Sequence, residues 1–140
     1  MGGYGAVKIA VRNPSTFSLA GSFSGTLGVA SDKHELDLPT GSLKTSIATT
    51  FSEPEVRKNG DLFAMVTSAT PEQIKAMPMI YFACGTEDFT FENNDAFRLL
   101  LLQKKIPHDY REGPGNHNWA FWDAQLAEFL AVAQTLVAKN

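Results

Sequence analysis

Two residues in this chain have the types and the placing for acid–base chemistry. Asp88 closes Cys84-Gly85-Thr86-Glu87-Asp88, and His117 sits inside Gly113-Pro114-Gly115-Asn116-His117-Asn118-Trp119. Each follows a stretch that reads as a strand. A carboxylate just past the C-terminal end of a buried strand stands where open α/β sheets place their ligands and chemistry. Histidine titrates close to neutrality, so it can take a proton from a hydroxyl and return it to a leaving group. An acid beside it fixes the tautomer and stabilises the imidazolium. Together such a pair can activate a nucleophile that neither residue supplies. Each residue also has a plainer reading: His117 as a structural turn histidine, Asp88 as a turn acid or a cap for the next helix. Glu87 is the nearest rival to Asp88 and is expected to point away.

The strand before Asp88 is the clearest element. Residues 79–84 (MIYFAC) form a nearly continuous apolar run that Gly85 breaks. Such a run suits a strand buried on both faces, as in a parallel sheet. Residues 108–112 (HDYRE) read as a short polar strand near a sheet edge, with His108 exposed. Residues 17–24 (FSLAGSFS) read as another short strand ending at Gly25. Ser24 at its end could line a pocket, but the simpler expectation is a serine that satisfies a turn. Gly21-Ser22-Phe23-Ser24-Gly25 misses the G-x-S-x-G nucleophile pattern by one place.

Helical patterns separate these strands. Tyr4, Val7 and Val11 share a stripe that Asn13-Pro14 ends. Thr70-Pro71-Glu72-Gln73 is a helix start with its cap, its proline and its reciprocal glutamine. Phe97, Leu100 and Leu101, widened by Ala96, Leu99 and Leu102, mark a helix over residues 93–105 that Ile106-Pro107 stops. Lys104 and Lys105 complement its dipole. Trp119, Trp122, Leu126, Phe129, Leu130, Ala133, Leu136 and Val137 give the last helix a stripe to lay on a sheet. Residues 26–70 read as an irregular insert, with short helices at 42–49 and 61–66 and a helix start at Glu53-Pro54-Glu55. Asp32, His34, Glu35 and Asp37 have metal-ligand chemistry but no framework to fix them, so they read as a solvated loop. Strands alternating with helices imply a parallel sheet with right-handed crossovers.

At 140 residues the chain is long enough for one domain with a real core. Hydrophobic residues at 44% against 19% charged mark it as globular. A net charge of −3, with no basic block beyond Lys104-Lys105, argues against a nucleic-acid partner. One cysteine excludes an internal disulfide and a cysteine-rich metal site. No apolar run approaches the roughly 20 residues of a membrane span.

Taken together, these motifs resemble the putative esterase family of α/β hydrolases, which includes tributyrin esterases, S-formylglutathione hydrolases and feruloyl esterases. In that family a strand ends in G-x-S-M-G-G-Y-G-A, and Met1-Gly2-Gly3-Tyr4-Gly5-Ala6 is similar to the part after the serine. The other matches are Gly21-Ser22-Phe23-Ser24-Gly25, Cys84-Gly85-Thr86-Glu87-Asp88 and Gly115-Asn116-His117-Asn118-Trp119. They follow the order of this fold, Ser, then Asp or Glu, then His. The resemblance covers nearly the whole chain and is weakest between residues 30 and 70.

The resemblance implies the C-terminal half of an α/β-hydrolase fold: an α/β architecture of about three parallel strands with flanking helices. Residues 1–140 would form a single partial domain. Asp88 becomes the triad acid, His117 the triad base, and the backbone N–H of Met1 one donor of an oxyanion hole. The implied parent is a serine carboxylesterase that hydrolyses short-chain acyl esters through an acyl-enzyme, with no cofactor and no metal. The serine, the strands before it and the loop with the other oxyanion donor are not in this chain. It is therefore expected to be a fragment, or a product of an internal start, and inactive alone. Poor stability or association is expected too, because the first strand's bare edge could drive a homo-oligomer. The implied partner is a small-molecule ester, with no nucleic acid and no membrane, and the cytoplasm is the favoured compartment. Two other readings stand beside this one. Cys84 could be the nucleophile of a cysteine hydrolase with His117, although it lies within a buried strand. Alternatively, the half-fold could be a catalytically inactive binding or assembly module.

Overall fold

Parallel pairing of three strands brings every strand's C-terminal end to one rim, and Asp88 and His117 follow two of those ends. In the computed structural model, which describes residues 1–34 and 38–138, helix α1 (Gly2–Arg12) leads into strand β1 (Leu19–Phe23). Helices α2 (Ser42–Thr50), α3 (Pro54–Gly60), α4 (Leu62–Ser68) and α5 (Pro71–Ala76) follow. Strand β2 (Met79–Gly85), helix α6 (Phe91–Lys104), strand β3 (His108–Gly113) and helix α7 (Trp119–Val137) complete the described chain. The sheet order is β1-β2-β3 and both pairings are parallel, with Gly21 opposite Tyr81 and Phe82 opposite Tyr110.

The central strand is buried on both faces because its side chains alternate between two apolar layers. Ile80 and Phe82 face the larger layer with Val7, Leu27, Leu62, Val66, Phe97 and Leu101. Tyr81 and Ala83 face the smaller layer under α7, with Phe121 and the partly buried Trp122, Phe129 and Val132. Phe82 meets the Phe97 ring edge-on at 5.8 Å, and Tyr81 meets Phe129 at 5.6 Å. The Tyr81 hydroxyl donates to Gln125 Oε1 at 3.1 Å, so the polar tip of a buried ring is satisfied. Each large side chain sealed in this way contributes roughly 1.5–3 kcal/mol.

Local chemistry sets the helix ends. The Thr70 hydroxyl accepts from the Gln73 N–H, and the Gln73 side chain accepts from the Thr70 N–H, a complete capping box for α5. At the end of α1 the Asn13 N–H closes on the Ile9 and Ala10 carbonyls.

Several side chains lie elsewhere than the sequence suggests. In α6, Phe97 and Leu101 are fully buried, but Leu99 and Leu102 are about half exposed. The face α7 lays on the sheet runs through Phe121, Trp122, Gln125, Phe129 and Val132, while Trp119, Leu126 and Leu130 are exposed. Both helices carry more apolar surface than one contact face uses. His108 is half-buried rather than exposed, and its Nδ1 is bonded to the Ile106 carbonyl at 2.8 Å. Within residues 26–70, Leu27, Val29, Ile47, Phe51, Leu62, Phe63 and Val66 all join the larger core. Glu35, Asp37 and the Val137 side chain, named above for the polar loop and the last stripe, lie outside the described residues.

Candidate active site

At the rim, the turn after β2 carries Asp88 and the loop after β3 carries His117. These two segments are tied together before any side chain is placed. The N–H of Thr86 donates to the Gly113 carbonyl at 2.9 Å, and that of Glu87 to the Gly115 carbonyl at 3.0 Å. Glu87 Oε2 accepts from the Gly115 N–H at 2.5 Å. Glu87 thus points away from the imidazole, as expected, and clamps the loop that bears it. This backbone donor is the main reason its carboxyl sits below the usual range. Gly115 adopts φ +156° and packs under Phe121, where a Cβ would come within 2.5 Å of the ring. The Asn116 side chain accepts from the His117 N–H at 2.8 Å, and Asn118 Oδ1 caps α7 by accepting from the Phe121 N–H at 3.2 Å.

His117 Nδ1 lies 3.1 Å from Asp88 Oδ1 and 3.0 Å from Oδ2. An ionised carboxylate only accepts, so Nδ1 carries the proton and Nε2 is the ring's acceptor in the neutral form. The ring stacks obliquely on Phe89 at 4.6 Å and meets Trp122 edge-on at 5.0 Å, which limits its rotation.

The Asp88 side chain is 0% exposed. Burial alone would raise its pKa, but the donors around it outweigh burial and hold the carboxyl below its ordinary value of 3.8. The Thr90 N–H, the Thr90 hydroxyl and His117 supply this effect by direct hydrogen bonds. Thr90 donates to Oδ1 twice, from its N–H at 2.9 Å and from its hydroxyl at 2.8 Å. Asp88 therefore does two jobs. It organises the turn into α6, as the plainer reading holds, and it meets His117.

The depressed carboxyl has a pH consequence. A group whose pKa is lower in the folded state stabilises the fold above its unfolded pKa, and this stability is lost as pH falls through the folded value. Urea melts between roughly pH 5 and pH 2 should show stability falling below the ordinary carboxyl value, and Asp88→Asn should remove part of that slope. Parallel slopes in wild type and variant would mean that Asp88 is not linked to folding.

The cysteine reading finds no support in the environment of Cys84. The side chain is fully buried, and burial pushes its thiol up to about 12. Its Sγ lies 3.3 Å from Thr90 Oγ1, and the single Thr90 hydroxyl proton already goes to Asp88, so the thiol is the donor. Such a thiol stays protonated near neutrality and is a poor nucleophile.

Other residues singled out in the sequence lie as follows. Met1 is the N-cap of α1, with no side-chain cap, and its Sδ accepts from the Thr26 hydroxyl at 3.2 Å. The small residues after it permit close packing: a Cβ on Gly3 would fall 2.3 Å from Ser22 Oγ. Asp32 pairs with Arg57 at 3.0 Å, and the His34 ring stacks on Phe63 at 3.9 Å. Among the described residues no group of His, Cys, Asp or Glu gathers as metal ligands, and no helix is long and apolar enough to cross a membrane.

Sequence reasoning missed the residues that support Asp88. Besides Thr90, the fully buried Asn94 donates from Nδ2 to the carbonyls of Gly25 and Thr90, both at 2.9 Å. Asn93 accepts from the Gly28 N–H at 2.6 Å and donates to the His34 carbonyl at 2.9 Å. The available signal was an Asn-Asn pair in the first turns of a helix, where asparagine is a poor helix former and competes for backbone groups.

Comparison with known proteins places this geometry. S-formylglutathione hydrolase (FrmB) from Staphylococcus aureus superposes with a TM-score of 0.72 at 24% identity, over 94% of this chain and 50% of that one. A ferulic acid esterase superposes with a TM-score of 0.73 at 23% identity, over 93% of this chain and 47% of that one. FphF, a fluorophosphonate-binding serine hydrolase from S. aureus, does so with a TM-score of 0.71 at 26% identity, over 93% and 49%. The chain thus spans about half the length of these solved proteins, and its three parallel strands with flanking helices form a partial α/β-hydrolase fold. An acetyl esterase from Caldicellulosiruptor saccharolyticus is 40% identical over 68 residues, 48% of this chain and 25% of that protein. The sequence pattern of the putative esterase family matches residues 1–132, and the chain belongs to that family.

Proposed function

We propose that this chain supplies the acid and the base of a serine carboxylesterase whose nucleophile lies in a segment preceding Met1 in a longer protein. The observation that carries the reading is the Asp88–His117 pair, at 3.0 Å, on the rim where strands of this fold place their chemistry. His117 Nε2 takes the proton of the attacking serine and returns it to the leaving alcohol. Asp88 holds Nδ1–H and stabilises the imidazolium that forms. The acyl-enzyme is then opened by water, with His117 acting as base once more. The backbone N–H of Met1, at the start of α1, is one donor to the oxyanion. Similarity to an acetyl esterase favours short acyl groups, and similarity to a fluorophosphonate-binding serine hydrolase favours a serine nucleophile.

The longer protein, with its upstream segment, should hydrolyse p-nitrophenyl acetate faster than long-chain esters, and an organophosphate should block it. The 140-residue chain alone should not turn over. A longer protein that is folded yet inert to both reagents would overturn the reading, and so would turnover by the short chain. The alternative, an assembly module, draws on the unpaired edge of β1 and the exposed Trp119, Leu126 and Leu130. A stable dimer that stays inactive in the same assay would favour it.

A further inference from the structure

Ser24 stands at the same rim, one residue past the end of β1. It is 2% exposed, its backbone takes the left-handed conformation with φ +50°, and among the described residues its hydroxyl has no hydrogen-bond partner. The hydroxyl therefore does not satisfy a turn, contrary to the sequence expectation. The Ser24 N–H donates to the Ala83 carbonyl at 2.8 Å, extending the β1–β2 pairing by one step. That bond fixes the residue beside the stretch that turns into Asp88. Glycine would adopt this φ without strain, so the position carries a side chain at a backbone cost.

The same rim holds an underused acceptor. Among the described residues, Asp88 Oδ1 receives three donors, two from Thr90 and one from His117, whereas Oδ2 receives only His117 Nδ1. The carboxylate has no exposed surface, so water cannot fill the gap. A buried carboxylate with an open lone pair and a buried hydroxyl with no acceptor answer each other's deficit. Ser24 lies one step beyond the Phe23–Ala83 pair, beside Cys84, and the Thr90 hydroxyl bonded to Cys84 Sγ is the one that donates to Asp88 Oδ1.

We propose that Ser24 is a positioning residue whose hydroxyl, after a small χ1 rotation, donates to Asp88 Oδ2 and holds the carboxylate ionised and aligned on His117. Thr90 then secures one oxygen and Ser24 the other, with the imidazole bridging both. The catalytic importance of this contact rests on the reading of Asp88 as the triad acid; the contact itself does not.

The test uses Ser24→Gly and Ser24→Ala. Glycine suits φ +50° and removes the hydroxyl without adding strain, so it stays informative if the alanine variant folds poorly. In the 140-residue chain, the Asp88 carboxyl followed by carbon-detected NMR should titrate at higher pH in both variants than in wild type. In the longer enzyme, kcat should fall by roughly tenfold with KM unchanged. A folded Ser24→Gly chain whose Asp88 titrates as in wild type would overturn the proposal. A shifted titration alongside a longer protein that lacks esterase activity would uphold the contact and end the esterase reading instead.

Discussion

In the proposed longer esterase, replacing His117 by alanine should lower kcat by roughly 10³- to 10⁶-fold and leave KM within a few-fold. The loss is large because no neighbour can replace the imidazole. Glu87 is committed to the Gly115 N–H, Cys84 is a buried thiol held protonated, and Asp88 is enclosed by its donors. The ring is partly open and packs along Phe89 and Trp122, so the change should cost stability mainly by taking the Nδ1 donor from the buried Asp88 carboxylate. Asp88→Asn should approach the same loss by another route. An asparagine amide can donate to Nδ1, which would move the ring proton to Nε2 and leave no base toward the serine. Both variants should keep the far-ultraviolet dichroism of the wild type, so that rate and fold are separated. Near-full rates in either one would remove the pair from the mechanism.

What the sequence made legible here was local. The apolar run ending at Gly85 identified β2, because a strand buried on both faces needs an unbroken run. The capping box of Thr70 and Gln73 spans three residues and was visible as such. Asp88 and His117 were legible because strand ends in a parallel sheet share a rim, so two short motifs imply a meeting. What stayed hidden depends on contacts across long separations. Nothing near Asn94 announces its bond to the Gly25 carbonyl, and nothing near Thr90 shows that its hydroxyl points at Asp88 rather than at solvent. The sign of a backbone φ is equally silent, which is why Ser24 read as an ordinary turn serine. In α7 the helical period was plain, but apolar residues occupy more than one face. Only packing against Tyr81 and Gly21 selects Phe129 for the sheet and leaves Leu126 and Leu130 outside.

The sharpest structural consequence of the rim follows from Gly85, where a single added methyl should disturb both folding and catalysis. A Cβ there would lie 2.2 Å from the Gly115 carbonyl oxygen and 2.4 Å from its carbon. Both are backbone atoms, so no side-chain rotation relieves the contact. The segment cannot retreat easily, because the Thr86–Gly113 and Glu87–Gly115 bonds tie it to the turn after β2. Gly85→Ala should therefore destabilise the chain by about 1–3 kcal/mol through overpacking. It should also push the histidine loop away from Asp88, and a displacement of about 1 Å costs on the order of 10²-fold in rate. Gly113 provides the control. It pairs with Gly85 in register, but a Cβ on it would meet nothing within 4 Å. Gly113→Ala should thus melt near the wild-type temperature and keep most of the activity. If the two alanine variants behave alike in thermal melts and in ester hydrolysis, the contact between Gly85 and Gly115 does not set the position of His117, and the clamp formed by Glu87 must hold the loop by itself.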